Sequence, residues 1–200
     1  MYAEDKTLTL CSRPLSHYGD DVLTDLLNFH SPRDPLGSSR NIDAAMRLHT
    51  ACRVGVRTKN EKLLETCLER FYEFLDASLF RDGSTFDYRD HHSLFHHLEC
   101  VLFSLDICHL LQSSLSCGRL HLMLNQHNAC LVDAVFFVLP FLQGEKFNIP
   151  FQYSTHREER RWCAEQAWVP EPDAFFFQYL QREYPEIFAT FQNIIVPLKK

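Results

Sequence analysis

Residues 81–99 read RDGSTFDYRDHHSLFHHLE and hold four histidines within seven positions. The pairs His91–His92 and His96–His97 follow Arg89 and Asp90 and precede Glu99. If a helix starts near His91, then His92 and His96 lie one turn apart on one face, with Glu99 further along the same side. Imidazole and carboxylate ligands on one face suit zinc or iron. The H-E-x-x-H sequence of zinc proteases and the E-x-x-H repeat of helical di-iron proteins are both absent. No metal or other cofactor is therefore assigned, and His92, His96 and Glu99 stand as an alternative metal-binding set.

The same residues suit proton transfer. Histidine titrates near neutrality, so a shielded imidazole serves as base or acid without a large pKa shift. Arg89, beside the first pair, can clamp a substrate carboxylate through two parallel hydrogen bonds. That is what a lyase acting on an acidic sugar needs: the carboxylate loses charge, the adjacent C–H becomes acidic, one group takes the proton and another donates to the leaving oxygen. The plainest alternative is a helix start that Arg89, Asp90 and the histidines merely cap and solvate. Cationic imidazoles at a helix N-terminus oppose its dipole, so four together ask for a reason.

The elements that must position these residues are helical. In NEKLLETCLERFYEFLDASLF (60–80), apolar residues recur at 63, 64, 67, 68, 71, 74, 75 and 79, a 3.6-residue stripe. Asn60 is its candidate N-cap, and Asp82–Gly83 ends it in a turn. The stripe returns from Asp90 to about Gln112, with Asp90 as candidate cap. Residues 41–56 form an earlier helix capped by Asn41, and further helices are expected at 21–29, 129–142, 157–167 and 173–183. About ten residues join 60–80 to 90–112, so these two helices are expected to lie antiparallel. Only TFDY (85–88) and NIIVPL (193–198) read as strands, and HSPRDPLG (30–37) reads as a loop.

Composition narrows the classes. At 46% hydrophobic and 23% charged, the 200-residue chain belongs with globular proteins and is long enough for one helical domain. A net charge of -6 gives no global field toward nucleic acid or an anionic membrane. MYAEDKTLTL lacks the cationic start and apolar run of a secretory signal, and no uninterrupted apolar stretch is long enough to span a bilayer. A cytoplasmic location is expected. None of the eight cysteines forms C-x-x-C, and several lie in apolar stripes, which points to free core thiols.

Three other segments bear on function. HREERRW (156–162) offers Arg157, Arg160 and Arg161 to an anionic polymer, yet Glu158 and Glu159 offset them, so a solvated helix face is expected. Trp162 and Trp168 are sized to stack on sugar rings, and a core role is expected for both. FFFQYL (175–180) places Phe175, Phe176 and Tyr179 at helical spacing, which fits deep burial or a patch for a protein partner.

DGSTFDYRDHHSLFHHLECVL (82–102) resembles a segment of the alginate lyase-like polysaccharide lyases, in which an Asp-Gly turn and an Arg precede a helix of the form L-H-Y-H. VFFVLPFLQGEK (135–146) is similar to that family's helix ending in G-E-K, and 156–188 to its closing helices. RNIDAAMRLHTACRVGVRTKNEKLL (40–64) matches by spacing the helix that opens N-N-H. The resemblance spans about residues 39 to 188. It implies an incomplete α/α toroid of antiparallel helical hairpins, with acidic, uronate-containing polysaccharide as partner and β-elimination as reaction. Carried over by position, Arg89 matches the family's Arg, and Asn41 matches the Asn that engages the carboxylate. Asp43 stands where the family has its catalytic His, and the catalytic Tyr falls at His96 or His97. The candidate catalytic residues are thus Arg89, His92, His96 and His97, with Asn41, Asp43 and Arg89 on the substrate. A chain that keeps this scaffold without catalysis, as a protein-interaction module, is the other class it suits.

Overall fold

The structure is a computed structural model that describes residues 40–163, 166–168 and 175–195. Regular structure among these residues is helical, apart from one isolated bridge between Leu79 and Thr85. The expected helix at 21–29, the loop at 30–37 and Cys11 lie outside the described residues.

Helices α1 (Ile42–Thr58) and α2 (Glu61–Ser78) form the first hairpin. Each starts at an asparagine that does the work expected of it. The Asn41 side chain accepts from the Ala44 N–H at 3.2 Å, and Asn60 from the Leu63 N–H at 3.1 Å. Such caps are worth about 1 kcal/mol each. Lys59, in the left-handed region, turns the chain within two residues, which makes the helices antiparallel neighbours. Gly55 lets them approach closely: a Cβ there would lie 2.7 Å from Leu64 Cδ2.

Two short pieces follow, α3 (Phe86–His91) and then the 22-residue α4 (Leu94–Leu115). Helix α4 is the centre of the fold. It packs against α1, α2, α3, α5 (Leu131–Phe136) and α7 (Phe175–Glu183). By length and composition it could cross a membrane, but its side chains are half buried inside the protein. Its Asp106 is paired within the fold, meeting His49 at 2.6 Å and accepting from the Tyr179 hydroxyl at 2.9 Å. Partners on several sides take apolar side chains from most of its circumference, which explains its weak amphipathicity.

Short α6 (Leu139–Leu142) leads into a long excursion, 143–163, which contains a 3-10 turn at Glu159–Trp162. Helices α7 and α8 (Pro185–Ile195) then pair and close the core over α4. Phe176, Phe177, Tyr179 and Leu180 are buried, so FFFQYL serves mainly for burial, while Phe175 stays exposed. Cys52, Cys67, Cys100 and Cys108 are buried free thiols, as their stripes suggested.

Several expectations are corrected. TFDY is not a strand: Thr85 caps α3 by accepting from the Tyr88 N–H, and Phe86–Tyr88 are helical. The helix at 90–112 starts at Leu94, after a break at His92 and Ser93, so Asp90 lies inside α3 and is not the cap. Residues 129–142 divide into α5 and α6 around Phe137–Val138, and 157–162 makes only a 3-10 turn. Residues 193–195 of the strand-like tail belong to α8.

Candidate functional site

The break after α3 decides where the histidines go. His91 is the last residue of α3, and His92 sits in the left-handed region at φ 51° and ψ 48°. His96 and His97 fall in the first turn of α4. The four imidazoles therefore leave the backbone in different directions, and the shared helical face of His92, His96 and Glu99 does not form.

His97 is turned fully inward. Its Nε2 lies 2.9 Å from the Ala134 carbonyl, and its Nδ1 accepts from the Thr85 N–H at 3.3 Å. Those partners fix a neutral imidazole with the proton on Nε2. Burial holds its pKa down to about 4. His97 pins the start of α3 to α5 and cannot meet a polymer.

His92 packs its ring edge-on to Tyr153 at 4.9 Å, under the excursion. Asn148, fully buried, holds that region: its Oδ1 accepts from the Leu94 N–H at 3.0 Å, and its Nδ2 donates to the His92 carbonyl at 3.0 Å. One side chain thus satisfies an orphan donor at the start of α4 and the carbonyl at the break.

His91 and His96 meet instead. Their rings lie 4.8 Å apart at 22°, and His156 from the excursion lies on the other contact of His91, 5.0 Å away at 20°. Two carboxylates flank this row of imidazoles. Glu159 places both oxygens 2.8 Å from His91 Nδ1 and accepts from the Ser154 hydroxyl. Asp90 Oδ2 lies 2.8 Å from His156 Nε2, and Asp90 also bonds the Thr155 hydroxyl. Burial pushes both carboxyls up, but hydrogen bonds from their partners and the nearby imidazoles outweigh it, so both stay below the usual carboxylate range. Burial, with the charge of His91, holds His96 below the ordinary histidine value, and its Nδ1 is buried without a partner.

Arg89 does not join them. Its guanidinium lies 3.6 Å over the Phe80 ring, with Nε donating to Ser84 Oγ at 2.8 Å and one terminal nitrogen to Asp82 at 3.1 Å. At about 100° per residue, positions 89 and 91 point roughly 160° apart on a helix. Arg89 latches the Asp82–Gly83 turn. Asn41 is spent on its cap, and Asp43 is exposed in the first turn of α1. Beside that N-terminus, buried Asp87 accepts from the Ile42 N–H at 2.9 Å, and burial pushes its carboxyl up to about 6.

Glu99 faces elsewhere, in the wall of a cavity of about 230 Å³ with Phe95, Leu98, Leu102, Trp168 and Phe176. Burial, aided by the charge of Asp87, pushes it up to about 7. Trp168 packs edge-on to Phe95, as a core role requires, whereas Trp162 is 68% exposed and departs from that expectation.

The candidate site is thus the face where 147–163 crosses the α3–α4 break. Asp90, His156 and Glu159 were missed as members because their pairings bridge 66 to 68 residues. The only sequence signal was a second cluster of titratable residues at 156–159. No protein-family model, no curated protein and no solved structure matches this chain.

Proposed function

We propose that this face binds an acidic, uronate-containing saccharide, and that its imidazoles serve proton transfer in β-elimination. The observation that carries the reading is that the segment crossing the row of His91, His96 and His156 also carries exposed aromatic rings. Tyr153 is 68% exposed and touches His92, Trp162 is equally exposed, and Phe147 is 73% exposed. Trp162 follows Glu159 by three residues, which places both on the same edge of a 3-10 turn. Flat apolar faces beside polar groups suit the alternating C–H and hydroxyl surfaces of a sugar ring.

Exposed Arg157 and Arg161 supply cations for the carboxylates, the task that the lyase resemblance assigns to Arg89 and Asn41. His96, whose burial holds it below the ordinary histidine value, is suited to accept the proton next to the carboxylate. The Tyr153 hydroxyl is suited to donate to the leaving oxygen. The helical hairpins fit the scaffold that the lyase resemblance implies, an arc of an α/α toroid.

The test is titration with alginate, hyaluronan and pectin oligosaccharides, combined with ultraviolet detection of unsaturated sugar ends. Saturable binding that a Tyr153→Ala, Trp162→Ala double variant weakens at least about tenfold, some 1.4 kcal/mol, supports the reading. Absence of binding to all three polymers overturns it.

A further inference from the structure

We infer that Asp90, His91 and His156 form a binding site for one divalent first-row metal ion, with zinc as the best fit. One ligand atom from each lies within 4.8 Å of the others. Asp90 Oδ2 stands 4.0 Å from His91 Nε2 and 2.8 Å from His156 Nε2. Around a tetrahedral zinc with bonds near 2.0–2.1 Å, ligand atoms stand about 3.3 Å apart. The observed spacings bracket that value, and because the His91 and His156 rings lie nearly parallel, closure needs His156, which is half exposed, to turn its ring so that both Nε2 lone pairs meet at one point.

The second observation is the orientation of His91. Glu159 sits on Nδ1, which places the proton there and leaves the Nε2 lone pair directed at Asp90. A carboxylate on the far nitrogen of a metal-binding imidazole is the recurrent device that fixes its tautomer and raises its basicity. Ser154 in turn holds Glu159. A plain surface ion pair has no use for this second layer.

The set is also chemically selective. Two imidazoles and one carboxylate suit zinc and its first-row neighbours better than calcium or magnesium, which prefer oxygen alone. Three protein ligands leave a fourth position for water or a substrate oxygen. A metal ion replaces the hydrogen bond between His156 and Asp90, and because it competes with protons for the same ligand atoms its affinity falls as the pH drops. The ion would offset the Asp90 charge on a face proposed to meet a polyanion, yet the site stands on its own geometry and does not depend on that reading.

The experiment uses chelator-stripped full chain titrated with zinc chloride alone, followed by calorimetry and by the X-ray absorption fine structure of the zinc complex. One zinc per chain is expected, with a shell of nitrogen and oxygen only. His156→Ala, an exposed position that leaves the core intact, is expected to weaken binding at least about tenfold, some 1.4 kcal/mol. His92→Ala, outside the set, leaves affinity within about twofold. No saturable binding, a sulfur-containing shell, or wild-type affinity in His156→Ala overturns the inference.

Discussion

His97 makes this fold sensitive to acid, and replacing it is expected to change how stability depends on pH. The imidazole is fully buried, and its pKa is about 4 instead of 6.5. As pH falls below 6.5, the unfolded chain binds a proton that the folded chain refuses until about pH 4. Stability present above pH 6.5 is therefore lost across that window. At about 1.4 kcal/mol per pH unit, the full loss is about 3 kcal/mol. Asp87 works in the opposite sense. Its carboxyl rises from 3.8 to about 6, so its contribution is present at low pH and is lost as pH rises through 6. That gap is also worth about 3 kcal/mol, and Glu99, more exposed, adds in the same direction. In the wild-type stability curve the gains at Asp87 and Glu99 therefore oppose the loss at His97, so its separate effect is read from the variant.

The measurement is urea unfolding of wild type and His97→Leu at steps across this range. At pH 7 the variant loses about 2–4 kcal/mol, because the Thr85 N–H and the Ala134 carbonyl are left buried without their partner. As the pH falls to 4 that deficit shrinks by about 3 kcal/mol, since leucine has no proton to refuse. Asp87→Asn shows the converse: it loses the compensating gain and becomes more acid-labile than wild type. A His97→Leu deficit that stays constant with pH, together with an unchanged acid profile in Asp87→Asn, refutes the reasoning.

Asn148→Ala removes the two bonds that hold the excursion to the start of α4 and is expected to lower stability by about 2–4 kcal/mol. Trypsin should then cut faster at Arg157, Arg160 and Arg161, and an unchanged cleavage rate counts against Asn148 as the anchor. Gly83→Ala combines φ +81° with a Cβ placed 2.4 Å from the Asp133 carbonyl oxygen, whereas Gly144→Ala combines φ +74° with open space. Both incur left-handed strain of about 1–2 kcal/mol, so the extra loss at Gly83 in thermal unfolding measures the close approach of that turn to α5. Equal losses at the two glycines show that the turn can move away.

What was legible in the sequence follows from the range over which each interaction acts. Asn41 and Asn60 bond N–H groups three residues ahead, and the stripes of α1 and α2 repeat every turn, so both helices were visible with their starts. The break at His92–Ser93 was hidden because Leu94, Phe95 and Leu98 continue a helical pattern that DYRDHH interrupts without Gly or Pro. That break changes the chemistry. A continuous helix would align His92, His96 and Glu99, whereas the break turns His91 toward Glu159 and leaves Glu99 in an apolar wall. The neighbours His96 and His97 show the same limit on a smaller scale. They are identical in type and adjacent in sequence, yet one lies against a row of imidazoles and the other is sealed beneath α5. Periodicity could not separate them, because α4 buries apolar groups on nearly every side. The partners that separate them, Ala134 and the 147–163 excursion, arrive from 37 and more residues away. The histidine run thus serves two tasks at once: His97 supports the scaffold, and His91 and His96 meet a segment that brings its own acid and imidazole.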